Sequence, residues 1–171
     1  EPKLLSGAEI TSGGYTAEQL LERRMKETAV SAGFHEIITF SFHSVRDLEL
    51  MYLAEDAPER DAVHLANPIS EHYDQMRRTL IPSMLRVISR NVKRGNREGR
   101  LFELARVFIP QPRDSLPLEL PVLCLAAFGE QETFFTLEGA LNRMVSSLGV
   151  RLDWARAHRH YLHPGRTAAL L

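Results

Sequence analysis

Two long strand-forming segments separated by a proline-rich turn constrain this chain more than any other feature. Residues 100–109 and 120–128 are dominated by aliphatic and aromatic side chains, and Pro110, Pro112, Asp114 and Pro117 lie between them. Consecutive strands joined by so short a turn favour antiparallel pairing, because a parallel return needs a crossover of a dozen or more residues. The second segment is a continuous apolar run, which predicts a strand buried on both faces. The expected class is therefore α+β: a mainly antiparallel sheet with helices packed against it.

The flanking sequence supplies the helices. Thr16 and Gln19 have the spacing of a capping box, in which each side chain accepts from the other residue's backbone N–H. Leu21, Met25, Thr28, Ala29 and Ala32 recur at helical spacing, and Gly33 closes the helix. Residues 34–42 are aromatic and β-branched and read as a strand, with Phe34, Phe40 and Phe42 on one face and Ile37 on the other. A short helix over 44–52, a polar loop over 54–60 and a short strand over 63–66 follow. Pro82 suits the first turn of a second helix, where its missing N–H is not needed. Ile81, Met84, Leu85, Ile88 and Val92 form its apolar stripe; Arg86, Arg90, Lys93, Arg94 and Arg97 form the opposing stripe, and Gly95 ends it. Thr136 is expected to cap a third helix lined by Leu137, Ala140, Leu141, Met144, Val145 and Leu148, with Gly149 at its close. Residues 151–155 read as a strand, and His163-Pro164-Gly165-Arg166 as a turn into a last strand over 167–171. Residues 1–14, with Gly7, Gly13 and Gly14, read as a linker or tail, leaving 15–171 as one module.

Composition excludes several classes. The 171 residues are 44% hydrophobic and 25% charged, as in ordinary globular domains and unlike disordered or fibrous chains. The single Cys124 rules out an internal disulfide framework and a Cys-rich zinc site. No apolar run approaches the ~20 residues of a membrane span, and residues 1–5 lack the features of a signal peptide. A reducing, cytoplasmic setting is expected. The net charge of −1 hides an uneven distribution: nine bases and two acids give residues 76–106 a charge of +7, whereas residues 1–60 carry −5. Such a basic segment can face nucleic acid, or be the solvated face of a helix, which is the commoner case.

The residues that bear chemistry form no strong motif. There is no glycine-rich phosphate loop, nucleophile elbow or His-Glu-x-x-His pair. His158, His160 and His163 fit no metal-ligand spacing and read as turn or edge-strand residues. Cys124, within an apolar strand, reads as an inert core thiol. Glu103 is flanked by Leu101, Phe102 and Leu104; it is either paired with Arg100 or Arg106 or a buried acid in a site, and the paired reading is the simpler.

Several stretches, in order, resemble a known family. Gly33-Phe34-His35-Glu36-Ile37-Ile38-Thr39 after an amphipathic helix resembles the first motif of class II aminoacyl-tRNA synthetases. Met76-Arg77-Arg78-Thr79-Leu80-Ile81-Pro82-Ser83-Met84-Leu85 and then Arg100-Leu101-Phe102-Glu103-Leu104-Ala105-Arg106-Val107-Phe108 resemble the approach to their second motif. With Leu65-Ala66-Asn67-Pro68-Ile69-Ser70, Thr136-Leu137-Glu138-Gly139 and His163-Pro164-Gly165-Arg166, the resemblance narrows to the beta subunits of bacterial phenylalanyl-tRNA synthetase, over roughly residues 16–171.

That resemblance implies a class II-like core, incomplete at its C-terminal end, from a longer subunit. It also implies that the chemistry has been lost. Phe40 stands where the first motif carries Pro. The second motif runs aromatic-Arg-x-Glu, its Arg gripping the ATP α-phosphate and the substrate carboxylate; here Phe108 is followed by Ile109-Pro110-Gln111. Ile109 has no guanidinium fork for phosphate, and Gln111 is neutral. The third motif has no counterpart before Leu171. In the family, the beta subunit carries a catalytic-like module while the alpha subunit holds the active site, in an α₂β₂ heterotetramer whose interface uses the first-motif helices. The implied alpha-subunit contacts here are Leu21, Met25, Phe34, Phe40 and Phe42. ATP and magnesium belong to the holoenzyme, and no catalytic residue, metal or cofactor is expected in this chain. Two other readings stay open: a basic module contacting tRNA through Arg86, Arg90, Lys93, Arg94 and Arg97, and a self-sufficient domain that activates a carboxylate with ATP. A sheet edge left open at residue 171 predicts self-association of the isolated chain.

Overall fold

A computed structural model describes residues 13–70, 72–112, 115–159 and 161–171. The expected tail over 1–14 falls almost wholly outside these residues, as does His160. Helix α1 (Ala17–Ser31) begins at the capping box: Gln19 N–H donates to Thr16 Oγ1 at 3.2 Å, and Thr16 N–H to Gln19 Oε1 at 2.9 Å. At its other end Gly33 adopts φ +87°, a conformation that L side chains rarely take. Gly33 N–H then reaches Val30 O at 2.9 Å and Phe34 N–H reaches Ala29 O at 3.1 Å. This Schellman closure folds the Phe34 ring back onto Ala29, and both are buried.

The next segment departs from the expected strand. Strand β1 is only His35–Glu36, β2 is Phe42–His43, and residues 37–41 belong to no strand. Ile37 N–H still donates to Phe102 O at 2.8 Å, but the Thr39 N–H turns to the Glu103 carboxylate at 3.0 Å. A side-chain acceptor replaces a ladder carbonyl, and the ladder stops. Phe34, Phe40 and Phe42 therefore do not share a face: Phe34 is in the core, Phe40 is 69% exposed and Phe42 is half-buried. Strand β2 pairs antiparallel with β3 (Gln75–Met76), which no run of strand-forming residues announces. The expected strand over 63–66 is reduced to a bridge between His64 and Gln75, flanked by Leu65 N–H to Asp74 O at 2.8 Å.

The long hairpin is as expected. Strands β4 (Gly99–Ile109) and β5 (Leu118–Phe128) pair antiparallel from Gly99↔Phe128 to Ile109↔Leu118. Strand β1 adds parallel to the other side of β4, giving the order β1-β4-β5. β5 is thus an edge strand among the described residues, and it is not buried on both faces: residues 118–121 are exposed and 122–128 half-buried. Between the two sheets' strands run α2 (Val45–Glu49), a 3-10 turn (Pro58–Arg60) and α3 (Ile81–Lys93). The N-cap of helix α4 (Phe134–Ser146) lies three residues before the expected one. Thr133 is its N-cap, and Thr136 sits inside the first turn with Oγ1 accepting from Thr133 N–H at 3.2 Å. Strand β6 (Trp154–Arg156) pairs antiparallel with β7 (Ala168–Leu170), beyond the turn in which Arg166 N–H reaches His163 O.

Two apolar clusters hold these elements. Ala29 of α1, Phe34, Phe102 of β4, and Ala140 and Met144 of α4 form the main core, with Leu123, Leu125 and Leu137 against it. Leu48, Met51 and Leu53 form a second, covered by Ala57, Ile81 and Tyr161. Burying a leucine, methionine or phenylalanine side chain is worth about 1.5–3 kcal/mol, so Phe34, Phe102 and Met144 hold β4 against α1 and α4.

Candidate functional site

A buried ion pair lies where segment 37–41 meets β4. Arg77 is 3% exposed and Glu103 2%. Arg77 Nη1 donates to Glu103 Oε1 at 3.1 Å, to Thr39 Oγ1 at 3.0 Å and to Phe40 O at 3.2 Å, and its Nε donates to Arg106 O at 2.9 Å. The Thr39 hydroxyl lies 2.9 Å from Glu103 Oε2. The backbone repeats the connection: Arg77 N–H donates to Ser41 O, and Phe108 N–H donates to Arg77 O, both at 2.9 Å. Three chain segments are thus tied at one point by charge-assisted bonds, each stronger than a neutral one.

This corrects the expected partners of Glu103. It is a buried, paired acid, but neither Arg100 nor Arg106 is its partner. Arg100 Nε instead meets Glu132 Oε1 at 2.7 Å, and Arg106 Nη2 meets Glu18 Oε1 at 3.2 Å, tying β4 to the first turn of α1. Arg100 and Arg106 lie on the face of the sheet opposite Glu103, because alternate positions along β4 face opposite sides.

An open cleft of about 260 Å³ flanks this node, lined by Ile38, Thr39, Phe40, Phe42, Tyr73, Arg86 and Arg90 among others. Phe40 stacks edge-on against Tyr73, with ring centroids 5.4 Å apart. Ile38 is 89% exposed, a large apolar side chain in water that the sequence did not single out. Of the other interface candidates, Leu21 is exposed and Met25 half-buried on α1, whereas Phe34 is core and presents no surface.

The basic stripe also divides. Arg86 is held by Asp47 of α2, and Asp47, which burial alone would raise, is kept below the usual carboxylate range by that guanidinium. Arg90, Lys93, Arg94 and Arg97 are exposed and have no ion-pair partner among the described residues. Behind Arg86, His43 is 1% exposed, and neither ring nitrogen has a hydrogen-bond partner among the described residues. Cys124 is half-buried, and burial, followed by the Glu103 carboxylate, pushes its thiol up to about 11. At neutral pH it carries no thiolate, the nucleophilic form.

At the far end of β4, Ile109 is half-buried, Pro110 follows, and Gln111 Nε2 donates to Pro110 O at 3.2 Å. No cation or carboxylate stands at these three positions.

Residues 2–171 match the family described as the phenylalanyl tRNA synthetase beta chain CLM domain. The phenylalanine–tRNA ligase beta subunit of Moorella thermoacetica is 37% identical over 164 residues, covering 89% of this chain and 20% of that protein. Those of Clostridium tetani and Bacillus thuringiensis are each 34% identical, covering 92% and 99% of this chain. The chain spans about a fifth of the length of these relatives. Among solved structures, pyrrolysyl-tRNA synthetase from Desulfitobacterium hafniense superposes with a TM-score of 0.65 over 81% of this chain and half of that one, at 20% identity. A histidine–tRNA ligase subunit from Alicyclobacillus acidocaldarius superposes with a TM-score of 0.63 over 91% of this chain and 47% of that one, at 18% identity. The fold is the class II synthetase-like one expected from the sequence. The match over residues 2–171, with relatives 34–37% identical across most of the chain, places this protein in the phenylalanyl-tRNA synthetase beta chain CLM domain family.

Proposed function

We propose that this chain is a non-catalytic, class II-like structural module that pairs with the catalytic alpha subunit of phenylalanyl-tRNA synthetase. The observation that carries this reading is the end of β4. Adenylate formation needs charge to stabilise developing charge on phosphate. There the chain offers Ile109, Pro110 and a Gln111 side chain turned onto the neighbouring carbonyl. The buried charge has been directed elsewhere: Arg77 and Glu103 satisfy each other and Thr39, which suits a rigid scaffold rather than a site that takes up ligand.

On this reading ATP and magnesium act on the alpha subunit, in a cytoplasmic α₂β₂ enzyme that attaches phenylalanine to its tRNA. The proposed contact surface comprises Leu21 and Met25 on α1, Phe40 and Phe42 at the cleft, and the exposed Ile38 beside them. An exposed isoleucine beside an exposed phenylalanine is the kind of apolar patch that marks a protein interface. The test is pyrophosphate exchange. Given phenylalanine, ATP and magnesium, the chain alone is expected to return no label to ATP and to bind no ATP in a titration. Turnover or ATP binding would replace this reading with that of a self-sufficient carboxylate-activating domain.

A further inference from the structure

The C-terminal half of α3 and the turn after it carry four bases that the fold does not use. Arg90, Lys93 and Arg94 project from the helix and Arg97 from the turn; all four are exposed, and none has an acidic partner among the described residues. Arg23, Arg77, Arg78, Arg86, Arg100 and Arg106 meet carboxylates, and Arg24 and Arg60 donate to backbone carbonyls; Arg90, Lys93, Arg94 and Arg97 are set apart by crowding four unpaired cations into eight residues. Arg90 and Arg94 stand four residues apart at the end of α3, where like charges repel along a helix. The favourable field at a helix C-terminus offsets part of the charge crowding for Lys93 and Arg94 but not for Arg97, which lies beyond the last turn. The ridge is therefore arranged for something outside the chain.

We infer that Lys93, Arg94 and Arg97, with Arg90 at their border, form a contact for the phosphate backbone of the tRNA that the assembled enzyme charges. The inference rests on the proposed membership of that assembly. Two features favour a polyanion over an acidic protein surface. Three of the four cations are arginines, whose planar fork matches phosphate oxygens two at a time. Val92, 46% exposed, is the sole large apolar side chain among residues 90–97, so the ridge lacks the apolar centre of a protein interface. Arg86 leaves the expected set because Asp47 holds it.

The test uses the reconstituted holoenzyme with full-length beta subunit, carrying Lys93→Glu, Arg94→Glu and Arg97→Glu together, or the same three changed to Gln. Arg90 is left intact because it also lines the cleft beside Phe40. Light scattering first establishes assembly, and tRNA affinity is then measured against salt concentration. With assembly and phenylalanine-dependent pyrophosphate exchange unchanged, the Glu variant is expected to bind tRNA about tenfold or more weakly. The log–log salt slope is expected to become shallower by about 2–3, from roughly 0.7–0.9 per lost phosphate contact. The Gln variant, which adds no repulsion, should show the same change of slope. Unaltered affinity and slope would overturn the inference. So would loss of subunit assembly in both variants, which would assign the ridge to an acidic protein surface. Failure of the unmodified chains to assemble would instead defeat the pairing on which the inference rests.

Discussion

An arginine and a glutamate buried together gain little over an apolar pair, but removing either strands the other. Arg77 and Glu103 are in that position, both about 3% exposed at the side chain. Glu103→Ala in the 171-residue chain is expected to cost about 3–5 kcal/mol in urea unfolding. Thr39→Val, which leaves the ion pair in place, should cost far less. Comparable losses for the two substitutions would mean the pair does not organise the site. His43 makes a second prediction at this scale. Burial holds its imidazole below the ordinary 6.5, with Asp47 and Asp74 pulling it up and Arg86 and Arg77 pushing it down. The unfolded chain takes up the proton near 6.5, whereas the folded chain takes it up only at lower pH. The contribution of this group is therefore complete above 6.5 and declines as pH falls below it. Urea midpoints at pH 7.5 and 5.5 should show a drop that His43→Leu reduces; an equal drop in both proteins would contradict it. Neither feature could be read from sequence. Arg77 and Glu103 are 26 residues apart, and nothing in either neighbourhood says that Arg77, rather than Arg100 or Arg106, turns inward.

Where local chemistry decides an element, the sequence announces it. The Thr16–Gln19 box, the Gly33 closure and the antiparallel return of β5 after the proline-rich segment each rest on residues within a few positions of one another, and each forms as expected. Thr16→Ala should destabilise the chain by about 0.5–2 kcal/mol in the same unfolding experiment, by removing the acceptor for Gln19 N–H. No change would show that α1 is held by its packing alone. Elements decided by distant partners were misread. The strand expected over 34–42 breaks because Glu103, some 64 residues away, captures the Thr39 N–H. β3 exists because β2 needs a partner, not because Gln75 and Met76 favour extended backbone. At α4 two threonines compete for one cap, and the pair Thr133–Thr136 prevails over Thr136 alone.

Over the whole molecule, the exposed Ile38 and Phe40 share one cleft with Arg86 and Arg90 of the basic stripe. The order of motifs along the chain was enough to identify the family, since it depends on sequence alone. Which face meets a partner was not legible, because Phe34 and Phe40 look alike in sequence and only the Gly33 closure sends one into the core and leaves the other exposed. The account stands on the pairing of this module with a catalytic subunit through that exposed face. The direct measurement is light scattering after gel filtration of the chain alone, of the chain mixed with the alpha subunit, and of the Ile38→Ser/Phe40→Ser variant in the same mixture. The account predicts a stable mixed complex whose yield falls in the variant while circular dichroism stays unchanged. A folded chain that remains apart from the alpha subunit, or a variant that joins it as well as the unmodified chain, would contradict it.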